Sequence, residues 1–410
     1  MNYRIWYSTE SFADYVISKT ILNERSYTKK KMYESDANNP KSFHTMPDHI
    51  KKILYLDAPD LIVEIDHEPI FSIEVSTEAG TGHNSFQRFA RLAASVENNV
   101  PAFYIYPEAA IIKRRDTPPK WDKINPLVFK ALEDVMSIYQ IPALLYYFPT
   151  DYREYPNAVM SPNLSSKGMR YEIGYEYAGS PLSSDSEMKS MFSSMNDIVS
   201  LVEKKGVVNS RDNLLGLRSI IDRRTYMQTE YNEKGGNLEM SPLSATLKKP
   251  TEYLLNYLSQ YEDSNYQIGE LLRSREFTVF YKVDARFRGD PYPGALAAID
   301  YLICREGKTF EERKYNLILC WSDIEVDDTN KTIILTGTKG KVMDFVSMVK
   351  GSENKNILTK EYHSIRNSEI PRYYMQVRYG SMYSKVKHIR VFSYFADAIL
   401  FPDGAFWRDA

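Results

Sequence analysis

The chain has 410 residues, 43% of them hydrophobic and 13% aromatic, which is apolar material enough for one large folded domain or two. A formal net charge of −2 excludes a global basic field for nucleic acid, so any such surface has to be a local concentration of Lys and Arg. Two cysteines, Cys304 and Cys320, with no CxxC exclude a cysteine-built zinc cluster; no apolar run approaches membrane-spanning length and the opening residues lack a signal-peptide profile, so a cytoplasmic location is the expectation.

In chain order, residues 9–22 predict an amphipathic helix with Phe12, Tyr15 and Val16 on its buried side. The lysine triplet Lys29, Lys30 and Lys31 reads as a solvated face or as a contact for a phosphate backbone, and residues 34–42 have the composition of an exposed loop. The most informative stretch follows, over residues 59–91. From Leu61 to Asp66 side chains alternate, placing Ile62, Glu64 and Asp66 on one face; His67, Glu68 and Pro69 break the run, and alternation resumes from Ile70 to Ser76 with Glu74 among apolar neighbours. A hairpin of these two strands brings Asp60 and Glu74 to the same end. Converging carboxylates repel unless a cation lies between them, and hard oxygen ligands favour Mg2+ or Mn2+. The other reading of the same acids is an edge hairpin whose carboxylates face solvent.

Pro59-Asp60, a gap of about a dozen residues, then Glu74-Val75-Ser76 resembles the PD-(D/E)XK nuclease superfamily, which includes many restriction endonucleases. Pro47-Asp48 and Pro402-Asp403 offer the same dipeptide in poorer contexts. The resemblance implies an α/β fold, a restriction-endonuclease-like mixed sheet flanked by helices. It puts the metal ligands on Asp60 and Glu74 and expects Lys where this chain has Ser76. It implies a water oriented by Ser76 or by a group from the following loop and helix such as Gln87 or Arg88, with His83, Arg88 and Arg91 toward the scissile phosphate and Glu64 and Glu78 as accessory acids.

The elements that follow suit that core. Residues 84–98 predict a helix with Phe86, Phe89, Ala90, Ala93 and Ala94 on one side and Gln87, Arg88 and Arg91 on the other; residues 102–106 predict a buried strand, 127–140 a helix and 143–148 a further strand. A basic loop with Trp121 lies between the last two strands. The composition then turns rich in Tyr, Pro, Asn and Ser, and a domain boundary is expected near Tyr152: residues 1–151 as the nuclease core and 152–410 as a second α+β part for DNA recognition, dimerisation or both.

In that second part, a capping box over Ser184 to Glu187 and a stripe from Met188 to Val202 predict a helix stopped by Gly206. A second helix is expected over 213–228, carrying Arg218, Arg223 and Arg224 on its polar side, and a third from Thr251. Strands are expected at 278–283, 315–321, 332–336, 375–379 and 388–394, with a short helix over 295–304. Arg286 and Arg288 on a charged loop suit base-edge recognition or an ion-pair cluster, and basic and aromatic residues interleave over 372–390. No Walker A, HExxH or GxSxG pattern is present, so no nucleotide cofactor is expected.

The expectation is a Mg2+- or Mn2+-dependent endonuclease of type II restriction class that cuts double-stranded DNA as a homodimer. A repair or phage exonuclease on the same fold, or a DNA-binding module without chemistry, remains open.

Overall fold

A computed structural model describes residues 1–32, 46–77, 83–174, 180–234, 245–264, 266–283, 291–337, 340–342, 344–345, 391–392 and 394–408. The chain divides into two compact units, Met1–Met240 and Ser241–Ala410, both mixed α/β. The first unit therefore runs well past Tyr152, where composition alone suggests a boundary.

The first unit is built on six strands in the order β2-β1-β3-β4-β5-β8: β1 (Tyr3–Tyr7), β2 (Tyr27–Lys31), β3 (Leu61–Ile65), β4 (Glu68–Val75), β5 (Ala102–Pro107) and β8 (Ala143–Phe148). Strand β3 runs antiparallel to both of its neighbours, β1 and β4, while β2 is parallel to β1 and β5 and β8 continue parallel to β4, so the sheet is mixed. The parallel joins need helical crossovers: α4 (Phe89–Glu97) links β4 to β5 and α5 (Leu127–Tyr139) links the small β6–β7 hairpin (Ala109–Ile112, Lys120–Lys123) to β8. The expected helix over 84–98 is in fact two pieces, α3 (His83–Phe86) and α4. The lysine triplet belongs to the edge strand β2, where Lys29 pairs with Glu10 and Asp14 of α1 (Glu10–Lys19), each at 2.7 Å.

Helices α2 (Asp48–Leu54) and α4 cover the face that carries Trp6, Ile62 and Glu74, whereas α1 and α6 (Ser186–Lys205) meet through Tyr15 and Phe192 on the other. The apolar stripe and the Gly206 stop hold for α6, which the short α7 (Val207–Ser210) follows, but the cap of α6 is Asp185, whose carboxylate accepts from Glu187 N. This frees the Glu187 side chain for a longer-range task. Strand β8 would be an open edge, and the sheet manages it with one ion pair. Glu187 Oε2 accepts from Tyr147 N at 2.8 Å, Arg223 Nε of α8 (Arg218–Lys234) donates to Leu145 O at 2.5 Å, and Arg223 Nη2 meets Glu187 Oε2 at 2.9 Å. The guanidinium also stacks on Tyr146 and Tyr226. Arg223, placed by periodicity on a polar face, is buried. Residues beyond Tyr152 thus complete the first sheet.

The second unit holds five strands in the order β15-β14-β11-β10-β9: β9 (Thr246–Pro250), β10 (Phe277–Lys282), β11 (Asn316–Cys320), β14 (Ala398–Phe401) and β15 (Gly404–Trp407). The hairpin β12–β13 (Asp323–Asp327, Thr332–Thr336) packs with α9 (Glu252–Leu258). Helix α10 (Glu270–Ser274) precedes β10, and α11 (Pro291–Ile299) ends in a π-helical turn over Asp300–Cys304. A buried charge cluster ties these elements: Arg313 bridges Asp300 at 2.8 Å and Asp397 at 3.0 Å, Arg305 pairs with Asp300, Arg275 with Asp397, and Asp397 also accepts from Leu317 N. Cys304 and Cys320 are buried free thiols. The expected strand over 375–379 lies outside the described residues; of 388–394, the described Val391, Phe392 and Tyr394 are helical.

Breaking a buried ion pair leaves its partner uncompensated and costs about 3–5 kcal/mol. Arg223→Ala should therefore lower the stability of the intact protein by roughly that amount, measured by urea unfolding, whereas Arg218→Ala, at an exposed pair with Asp222, should change it by less than about 1 kcal/mol.

Candidate metal and phosphodiester site

Asp60 stands at the start of β3 and substitutes for backbone in the ladder. Its N–H donates to Ile73 O at 2.9 Å, and its carboxylate Oδ2 accepts from Val75 N at 2.8 Å, while Oδ1 accepts from Ser8 Oγ at 3.1 Å. Its side chain is thereby fixed against the peptide that follows Glu74. Glu74 lies on the covered face of β4, only 1% exposed, opposite Tyr104 of β5. The two acids share one end of the hairpin.

Helix α4 supplies the opposing charge. Arg91 Nη1 donates to Glu74 Oε1 at 2.6 Å and Arg91 Nε to Asp57 Oδ2 at 2.6 Å; Arg88 Nη1 reaches the same Glu74 oxygen at 3.2 Å. All contacts converge on Oε1. Glu74 Oε2, Arg88 Nε and Tyr104 Oη are buried and have no hydrogen-bond partner among the described residues. Buried polar atoms in folded proteins are nearly always satisfied, so Glu74 Oε2 and Tyr104 Oη are open to a water or another small partner.

Burial, with the Asp60 charge beside it, pushes the Glu74 carboxyl up to about 8 against the pull of Arg91 and Arg88. Arg91, although burial works against its charge, is held above the ordinary arginine value by Glu74 and Asp57. Burial raises the Tyr104 hydroxyl well above its usual range.

The remaining candidates fall as follows. Ser76 follows β4, is buried, and donates its N–H to Ile105 O at 2.9 Å. Gln87 is half-buried between α3 and α4, and His83 is the first residue of α3. Arg91 spends its guanidinium on Glu74 and Asp57 within the site, and Arg88 also turns toward Glu74. Glu64 is not at this end of the hairpin: four residues along β3 from Asp60, roughly 13 Å at about 3.3 Å per residue, it is buried and meets Arg4 at 3.3 Å and His49 at 2.7 Å. Glu78, Arg286, Arg288 and most of 372–390 lie outside the described residues. Trp121 of the basic loop donates its indole N–H to Tyr155 O at 2.8 Å.

Sequence reasoning missed Asp57, whose only signal is its position three residues before Asp60 in a Pro-containing loop. Asp60 and Glu74 are the carboxylates that could hold a hard cation: both Asp60 oxygens accept from Ser8 and Val75 N, Glu74 Oε1 is taken by Arg91 and Arg88, and Glu74 Oε2 has no hydrogen-bond partner among the described residues. Comparison with family models, with curated proteins and with solved structures gives no match. No helix among the described residues is long and apolar enough to cross a membrane.

A carboxyl raised in the folded state binds its proton more tightly there than in the unfolded chain, so its contribution to stability is complete below about 4.5 and lost as pH rises through about 8. Wild-type stability should therefore fall relative to Glu74→Gln across that window, with urea unfolding at a series of pH values as the check. Parallel pH profiles for the two proteins would contradict the assignment.

Proposed function

We propose that the chain is a divalent-metal-dependent endonuclease of type II restriction class, hydrolysing phosphodiester bonds in double-stranded DNA at a specific sequence. The observation that carries this reading is the pair Asp60 and Glu74 on neighbouring strands, with a buried Glu74 oxygen that has no partner among the described residues. The order of elements supports it: antiparallel β1, β3 and β4, then α4, the parallel strand β5, α5 and β8 follow the sequence of strands and helices that the PD-(D/E)XK resemblance implies.

Asp60 and Glu74 would hold Mg2+ or Mn2+, with the Val75 carbonyl nearby. Such an ion supplies Lewis acidity toward a phosphodiester and neutralises charge that builds on it. Asp60 is held in place by Ser8 and Val75 N, which limits the freedom it loses on taking a ligand. Ser76 cannot supply the ammonium group that the motif expects. Arg91 and Arg88 place positive charge against Glu74 instead, and a guanidinium stabilises an anionic phosphate but does not accept a proton at neutral pH. In this reading the two arginines are electrostatic, and Ser76 or Gln87 orients the attacking water. The second unit, with Arg286 and Arg288, would read sequence or form the dimer.

Purified protein with Mg2+ should cut circular as well as linear double-stranded DNA, and Asp60→Asn and Glu74→Gln should each lower cleavage by a hundredfold or more while leaving the far-UV spectrum unchanged. Cleavage of linear DNA only would assign an exonuclease. DNA binding that persists without metal, with no cutting in Mg2+ or Mn2+, would assign a binding module instead.

A further inference from the structure

At the far end of the β3–β4 hairpin, three side chains of metal-binding chemistry come together without any part in the site above. The hairpin turns through Asp66 and His67, both in the left-handed region at φ 47° and 70°. A two-residue turn of this hand is relaxed with Asn-Gly or Asp-Gly, because glycine has no Cβ to clash; here the second position holds histidine. The turn is clamped from the residue before β1: Asn2 N donates to Asp66 Oδ1 at 2.9 Å and Asp66 N to Asn2 O at 3.1 Å. The backbone at His67 is therefore held in a conformation that glycine would adopt more readily. Strained residues of this kind persist where the surrounding structure holds them, as the Asn2 clamp does here.

Beside it lies Glu64, a carboxylate only 1% exposed. A register shift between Val63 and Glu64 sets it at the end of β3, where Arg4 Nη1 approaches one oxygen at 3.3 Å and His49 Nε2 of α2 the other at 2.7 Å. The His49 and His67 rings stand 5.7 Å apart at 80°. One ligand atom from each of His49, Glu64 and His67 lies within 4.8 Å of the others. Donors bound to a tetrahedral ion at about 2.0–2.1 Å sit roughly 3.3 Å apart, so small side-chain rotations close the set without moving the backbone. The hydrogen bond from His49 to Glu64 accounts for those two residues; it gives no use to a histidine at a strained turn.

We propose that His49, Glu64 and His67 form a second metal site, separate from Asp60 and Glu74, that takes a zinc-class transition-metal ion through two imidazoles and one carboxylate. The ligand type argues for this class, since nitrogen donors suit Zn2+ whereas Mg2+ prefers oxygen alone. Three protein ligands leave a fourth position for solvent, and two of the three, Glu64 and His67, also line a cleft of about 490 Å³ beside Asn2, Arg4, Thr28 and Asp66. Arg4, which also lines the cleft, pairs with the other Glu64 oxygen at 3.3 Å and limits how the carboxylate can turn. The site does not rest on the nuclease reading.

The test uses the full chain, stripped with a chelator and titrated with Zn2+ in competition with a chromogenic zinc indicator. Wild type should bind one Zn2+ per chain, and Co2+ in its place should give the intense visible bands of a four-coordinate ion. His67→Gly should bind Zn2+ at least tenfold more weakly while its metal-free melting temperature equals or exceeds that of wild type, because glycine relaxes the turn. The double variant Asp60→Asn with Glu74→Gln should retain the zinc. The proposal is overturned if wild type binds no Zn2+, if His67→Gly binds it as tightly as wild type, or if the zinc is lost from the double variant instead.

Discussion

The first unit is organised around a carboxylate that it buries at a cost. Glu74 sits under α4 with one oxygen shared by two guanidiniums, the other unsatisfied among the described residues, and Asp60 next to it. Removing a carboxylate from water is expensive unless charge and hydrogen bonds replace the lost hydration. Arg91 provides part of that replacement and is itself balanced by Asp57, so α4, the loop before β3 and the centre of the sheet are locked by a single chain of charges. The arrangement keeps a titratable oxygen in reserve. A structure selected for stability alone would put an apolar residue here.

The same economy explains how the sheet is finished. Tyr147 N and Leu145 O would face an open edge, and Glu187 and Arg223, brought in by helices beyond residue 152, take the place of a further strand. The first unit thereby needs α6 and α8 to close it. Strand β3 has chemistry at both ends, oxygen-rich at Asp60 and nitrogen-rich at His49 and His67, separated by a buried apolar run. Under the two proposals a hard cation would take the first end and a zinc-class ion the second.

Much of this was legible in the sequence where one local pattern decides. Alternation from Leu61 to Ser76 located the central hairpin and brought Asp60 and Glu74 to one end, and helical spacing with Gly206 located α6. What local pattern cannot carry is a pairing made by tertiary packing. Arg91 and Arg223 lie on helix faces that spacing marks as polar, yet both are buried, because carboxylates from distant segments meet them. His49 and His67 are eighteen residues apart and are neighbours only because α2 packs across β3. The lysines of β2 read as solvated and are half-exposed, since an edge strand shows such side chains to water while its backbone joins the sheet.

The central claim is that the reserve oxygen of Glu74 receives a cation and that the proton held there must leave when it does. Isothermal titration of Mg2+ into the protein at about pH 7, in buffers of different ionisation enthalpy, measures that exchange directly. Wild type should release protons on binding Mg2+ near pH 7, with the release fading above about pH 9 and absent from Glu74→Gln. Binding of Mg2+ without proton release, or the same release from Glu74→Gln, would contradict it.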